Sequence, residues 1–200
     1  MRTLTEQQMI DIIWGATLMG GGGGGSISSG MDLLNAYKRD HPDAKIEVDL
    51  ITVDEMKGGY AAATAGMGAP AAIVGVDFSK YAANAFSLLQ EVAARHGKDL
   101  RYNIPVELGG FSIFFPLLLS LITEFKTVDA DGAGRAVPAL ETLLLHVNGC
   151  PTSPIALANG VNDKITVELA DSHNAPLANS IGLGSYSHAC HRWQVFFLSS

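Results

Sequence analysis

The chain has 200 residues, of which 48% are hydrophobic and 16% charged, so it carries enough apolar material for a folded core and too much for a disordered segment. Its formal net charge of -7, with 13 Lys and Arg spread along the chain, excludes a partner held through a phosphate backbone, and no nucleic acid is expected. Two cysteines, Cys150 and Cys190, are too few for a disulfide framework, and the opening MRTLTEQQMIDIIWG lacks a secretory signal's apolar stretch and cleavage site, so a cytoplasmic location is expected.

Along the chain, Thr5 and Gln8 stand at capping-box spacing, and Met9, Ile12, Ile13, Ala16 and Met19 recur at helical spacing. A helix therefore runs into six consecutive glycines, residues 20 to 25. Ser28 or Ser29 is expected to cap a second helix through MDLLNAYKR, with Met31, Leu34 and Tyr37 on one face. The alternation of Ile46, Val48 and Leu50 predicts a half-buried strand. AAATAGMGAPAAIVG, from Ala61, reads as a buried strand ending in a tight turn at Gly66, Gly68 and Pro70. A helix follows, with Ala82, Phe86, Leu89, Val92 and Ala93 in a stripe and Gly97 as its stop.

YNIPVELGG predicts a strand closing in two glycines, and FSIFFPLLLSLI predicts a buried helix. That run is 12 residues long and contains Pro116, short of the roughly 18 apolar residues a membrane span needs, so no membrane partner is expected. KTVDADGAGRA reads as a short strand opening into a loop, and Leu140 to Val147 as helical. IALAN and KITVEL read as the arms of a hairpin. Strands alternating with helices predict an α/β fold with a mostly parallel sheet, flanking helices and glycine-rich loops; the opening helix pair and closing hairpin leave α+β as the alternative. There is no repeat and no clear linker, and Val161 is the one point where a second unit could begin.

Glycine-rich loops invite a phosphate reading, which the details do not support. No Lys precedes Ser26 as a Walker loop requires, and the glycines follow a helix where a dinucleotide fingerprint needs a strand. What remains is a choice between a flexible turn and a loop whose bare amides, at Gly21, Gly22, Gly23 and Gly24, approach an anion or a carbonyl oxygen. GMGAP with Met67 and Gly68, PVELGG with Gly109 and Gly110, and VDADGAGRA each end a predicted strand, where open α/β sheets bind ligands. Charge is scarce in these loops, so Glu107, Asp129, Asp131 and Arg135 stand out as catalytic candidates, against the plainer reading of a structural ion pair. His188, Cys190 and His191, with His173 and Cys150 upstream, match no standard zinc spacing, and no metal is assigned. Cys150 reads as a small buried thiol or a nucleophile, and His146 as a core histidine. No cofactor is named by these residues.

LTEQQMIDIIWGATLMGGGGGS, GMGAP, PVELGGFSIFFPLL and VDADGAGRAVPALE resemble the N-terminal domain of the S-methyl-thiohydantoin desulfurase family, in the family's order and over about Thr3 to Asn159. The resemblance implies a domain over residues 1–160, followed by the start of a truncated or divergent C-terminal region over 161–200, where SHACHRWQVFFLSS departs from the family. It also implies hydrolytic chemistry on a small thiohydantoin or hydantoin-like ring, in which water attacks the carbon between the ring nitrogens and a methylthiol leaves. Glu107 or Asp129 would then serve as general base or ring N–H acceptor, and Arg135 or the glycine amides would hold a substrate carboxylate or developing charge. The rival reading is a non-catalytic binding or subunit-like domain, a homo-oligomer or the companion of a hydantoinase-type partner, with WQVFFL as a candidate apolar patch. A nucleotide-binding protein is a third and weaker reading.

Overall fold

The computed structural model describes residues 1–67, 78–123, 125–159, 163–186 and 192–198. The chain opens with a short strand β1 (Arg2–Thr5), which turns directly into helix α1 (Glu6–Gly20). Thr5 caps that helix by a reciprocal pair of bonds: its Oγ1 accepts from the Gln8 amide at 3.4 Å, and its own amide donates to Gln8 Oε1 at 2.9 Å. The predicted capping box is therefore present. Helix α2 (Ile27–Asp40) starts earlier than expected, because Ser26, the first side chain after the glycines, accepts from the Ser29 amide at 3.1 Å. Ser28 and Ser29 lie inside the helix.

Strand β2 (Glu47–Ile51) is followed by a single 3-10 turn at Val53–Glu55 and then by β3 (Tyr60–Met67). Two parallel β–α–β units complete the centre of the fold: α3 (Phe78–Arg95) leads to β4 (Leu100–Pro105), and α4 (Gly110–Ile122) leads to β5 (Lys126–Val128). The predicted helix at 140–147 is broken into a 3-10 turn (Leu140–Thr142) and a single turn α5 (Leu144–Val147). The hairpin is observed as β6 (Ile155–Ala158) and β7 (Lys164–Val167), paired antiparallel with Ile155 opposite Val167. The chain then adds α6 (Ala175–Tyr186) and β8 (Arg192–Leu198).

These strands form one eight-stranded sheet in the order β1-β2-β5-β4-β3-β8-β6-β7. Its centre, β2-β5-β4-β3, is parallel, and antiparallel strands extend it on both sides. The architecture is α/β. WQVFFL, expected as a surface patch, is the body of β8, whose backbone pairs with β3 on one side and β6 on the other.

Two cores sit on the two faces of the sheet. Helices α1 to α4 cover one, around Met9, Ile13, Leu34, Phe86, Phe114 and Phe115. Residues Gly110 to Leu119 of α4 are all buried, because this helix is walled by the sheet below and by α1, α2 and α3 around it. The other face carries Ile51, Tyr102, Ile104 and Val128 under the 140–147 segment and α6. Within the first core, a closed ring of hydrogen bonds fixes α4 on β4 and β5. Asn103 Nδ2 donates to Ser120 Oγ at 3.1 Å, Ser120 and Thr127 hydroxyls meet at 2.8 Å, and Thr127 Oγ1 donates to Asn103 Oδ1 at 3.1 Å. Every buried polar atom of the ring has a partner, as a dry interior requires.

Candidate active site

The parallel strands present their carboxyl ends at one edge of the sheet, where three connections meet: the glycine loop, the β4–α4 turn and the loop after β5. The helix α4 has no side chain at its N-cap, since that residue is Gly109. Its free amides are satisfied instead by the glycine run: Gly110 donates to Gly25 O at 2.9 Å, and Phe111 and Ser112 donate to Gly24 O at 3.1 and 2.9 Å. The loop is thus a backbone cap, and the close approach its bare glycines permit is made to the chain itself. Gly24 has φ +67°, and a Cβ built on it would fall 2.8 Å from the Gly109 Cα and nearer still to Leu108 O. Only glycine meets both demands. Gly23 packs on Ala136, while Gly21 and Gly22 are exposed at the tip with nothing close to them.

The loop after β5 docks on the same turn. Leu108 N donates to Arg135 O at 3.2 Å and Gly132 N to Pro105 O at 3.0 Å. Asp131 braces that loop from within, its Oδ1 accepting from Ala133 N at 2.8 Å and also from Gly134 N. Asp129 is exposed and pairs with Arg2 at 3.6 Å. Arg135 is exposed, donates from Nε to Ala136 O at 3.3 Å, and has no carboxylate partner among the described residues.

Glu107 differs from the other three candidates. Half-buried at the end of β4, it accepts from Ser112 Oγ at 2.9 Å through Oε1 and from Val137 N at 2.8 Å through Oε2. The carboxylate thereby ties the first turn of α4 to the loop after β5. It also lines a cavity of about 260 Å³ at the ends of β3 and β4, walled by Val106, Pro138, Leu140 and Leu143, into which α6 brings Asn179. Asn179 is half-buried and has no hydrogen-bond partner among the described residues. Sequence alone does not single it out, because a lone amide carries no spacing signal.

Of the predicted site residues, the structure brings Glu107, Gly109, Gly110, Asp131, Arg135, Gly23 and Gly24 into one set of mutually bonded loops. Asp129, Gly21 and Gly22 lie at its margin. Met67 ends β3, whose neighbour Gly66 lines the cavity. Gly68, Ala69 and Pro70 lie outside the described residues, as do His188, Cys190 and His191. His173 Nε2 meets Gly149 O at 3.0 Å, and among the described residues no three His, Cys, Asp or Glu converge as a metal site would require. No helix among the described residues is long and apolar enough to cross a membrane.

Solved structures share this fold. An X-ray structure of a protein from Chromobacterium violaceum matches with a TM-score of 0.87 at 23% sequence identity, covering 100% of this chain and 55% of that one. The chain thus spans little more than half the length of its solved relative. No curated protein matches it. Over residues 7–169 it matches the family model described as S-Me-THD-like, N-terminal domain. With most of its length inside that match, the chain belongs to the S-Me-THD-like, N-terminal domain family.

Proposed function

We propose that the cavity at the ends of β3 and β4 binds a five-membered S-methyl-thiohydantoin or hydantoin-like ring, and that Glu107 activates water for its hydrolysis. The observation that carries this reading is the pairing of two polar side chains, Glu107 and Asn179, in an otherwise apolar recess. At about 260 Å³ the recess falls below the ~300–1,000 Å³ of pockets for drug-sized ligands, which suits a single small ring. The family's description supports this substrate class.

The chemistry needs a base, an orienting contact and a path for one proton. An ionised carboxylate has about four lone-pair sites, and Glu107 has committed two, to Ser112 and Val137. Its remaining lone pairs can take a proton from water, while the two existing bonds hold the carboxylate rigid. The water oxygen bonds to the ring carbon between the nitrogens, the carbon–sulfur bond breaks, and the proton held by Glu107 passes to the sulfur as methanethiol leaves. Asn179 offers one donor and one acceptor, the complement of a ring N–H beside a carbonyl. It orients the ring and carries no proton.

The test is methanethiol release from an S-methyl-thiohydantoin with a propionate arm. Glu107→Gln is expected to lower kcat by about 100-fold or more with KM little changed, while Asn179→Ala raises KM by about tenfold. Turnover by Glu107→Gln at the wild-type rate would refute the assignment.

A further inference from the structure

A second and larger cavity than that of Glu107 lies elsewhere. The connection from β2 to β3 must cross over β5 and β4, and it does so on the face opposite α1 to α4, leaving a recess of about 630 Å³ beneath it near the starts of β4 and β5. Tyr102 on β4 and Val106 just after it, which border the two cavities, are four residues apart, or ~13 Å along extended chain, so this recess is separate from the Glu107 cavity.

Its lining is cationic in a chain that is acidic overall. Lys57, Arg101 and Lys126 border it, together with Ile51, Tyr102 and Phe125. The one carboxylate in the lining, Glu55, is already joined to the amino group of Met1. Lys57 is anchored through its backbone, its amide donating to the Tyr102 hydroxyl at 3.2 Å, and its ammonium has no carboxylate partner among the described residues. Arg101 sits at a bulge, where the β3–β4 register slips between Tyr60 and Ala61. Asp99 engages its Nε and Nη2 at 2.6 and 2.5 Å, leaving Nη1 uncommitted. Lys126 reaches Asp49 only at 3.8 Å and otherwise donates to Met1 Sδ at 3.1 Å.

We infer that this recess is a second ligand site, for a small organic anion with a phosphate or carboxylate head and a flat apolar body. The cations around the rim take the head, Lys57 as a point charge and Arg101 through its free edge. Tyr102 and Ile51 supply the apolar wall. The volume falls within the ~300–1,000 Å³ of small-molecule pockets. Neither half of such a ligand is sufficient alone: an inorganic anion leaves the wall wet, and a neutral ring leaves the cations uncompensated.

The experiment is a titration of the isotopically labelled chain, followed by amide chemical shifts, with phenyl phosphate, benzoate, benzyl alcohol and inorganic phosphate. Phenyl phosphate or benzoate is expected to bind at least about tenfold tighter than benzyl alcohol or inorganic phosphate, moving the amides of Lys57, Tyr102 and Lys126, and to weaken as salt is raised. Comparison of the first two probes decides between a phosphate and a carboxylate head. Lys57→Gln, a change at an exposed position, is expected to weaken the better anion at least about fivefold and leave benzyl alcohol unaffected. Shifts confined to other regions, equal binding of the neutral probe, or unchanged affinity in the variant would each overturn the site. The first two are read on the unmodified protein, so the answer does not depend on the variant's fold.

Discussion

If the glycine run is a backbone cap, its glycines should differ sharply in what a methyl group does to them, and Gly24 and Gly22 give the cleanest contrast. Both have positive φ, +67° and +101°. An alanine at either pays about 1 kcal/mol for entering that region. At Gly22 that is the whole cost, since a Cβ there meets nothing within 4 Å. At Gly24 the new methyl collides with Leu108 O and the Gly109 Cα, which are backbone atoms unable to swing aside. The loop must lift, and lifting it strips Gly24 O from the amides of buried Phe111 and Ser112. Two backbone bonds at ~1 kcal/mol each bring the total for Gly24→Ala to about 3 kcal/mol, against about 1 kcal/mol for Gly22→Ala. For a chain of this length the corresponding falls in Tm are roughly 6–12 °C and 2–4 °C. Urea unfolding with matched m-values measures the difference, and native-state hydrogen exchange locates it, with the amides of residues 110–112 opening faster in Gly24→Ala alone. Equal destabilisation by the two substitutions would refute the cap.

Two other expectations test different parts of the molecule. Thr127→Val keeps the shape of a side chain that is 1% exposed but orphans Asn103 Oδ1 and the Ser120 hydroxyl, so a loss of about 2–3 kcal/mol is expected, whereas Thr127→Ser, which preserves the ring, should cost about 1 kcal/mol; urea midpoints for the two decide it. The amino group of Met1 and the Thr52 amide, both bonded to Glu55, hold its carboxyl below the ordinary value of 4.5. A depressed folded value stabilises above the unfolded pKa and is lost as pH falls through the folded one, so any advantage of wild type over Glu55→Gln is full at about pH 7 and shrinks at about pH 3; an advantage that persists in acid refutes the pairing.

The elements that could be read in advance carry a local signal. The Thr5 and Gln8 box, the alternation of Val48 and Leu50, the α3 stripe and the uniformly apolar α4 each state their structure within a few residues. Those that escaped do not. Strand β1 is four residues long with only Leu4 buried, too short for periodicity to register. In α6 the buried positions include Ala175 and Ala178, small residues that leave no hydrophobic stripe, while Leu177 and Leu183 stay exposed. Strand β8 pairs with β3 more than a hundred residues upstream, and its position inside the sheet is a property of topology that no window around it contains. The same divide runs through the site. Glu107 was visible because a carboxylate in apolar surroundings must be paired or used, whereas Asn179 acquires meaning only once α6 is folded against the ends of β3 and β4. The glycines were ambiguous for a related reason, since the backbone they approach lies about eighty residues further on.

On the proposed mechanism Glu107 holds two roles that mutation can separate. As an acceptor it joins Ser112 of α4 to Val137 of the following loop, and as a carboxylate it faces the recess with lone pairs to spare. Glutamine keeps one acceptor oxygen, and the amide that replaces the other oxygen can neither accept from one of these two donors nor take a proton from water. The structural role therefore falls only in part, by about 1 kcal/mol, because one of the two bonds survives. The chemical role is lost altogether. A Glu107→Gln protein that folds with a slightly lowered urea midpoint and does not turn over is the combination required by a carboxylate that both braces the loops and acts on the substrate. A lowered midpoint with full turnover would leave only the brace.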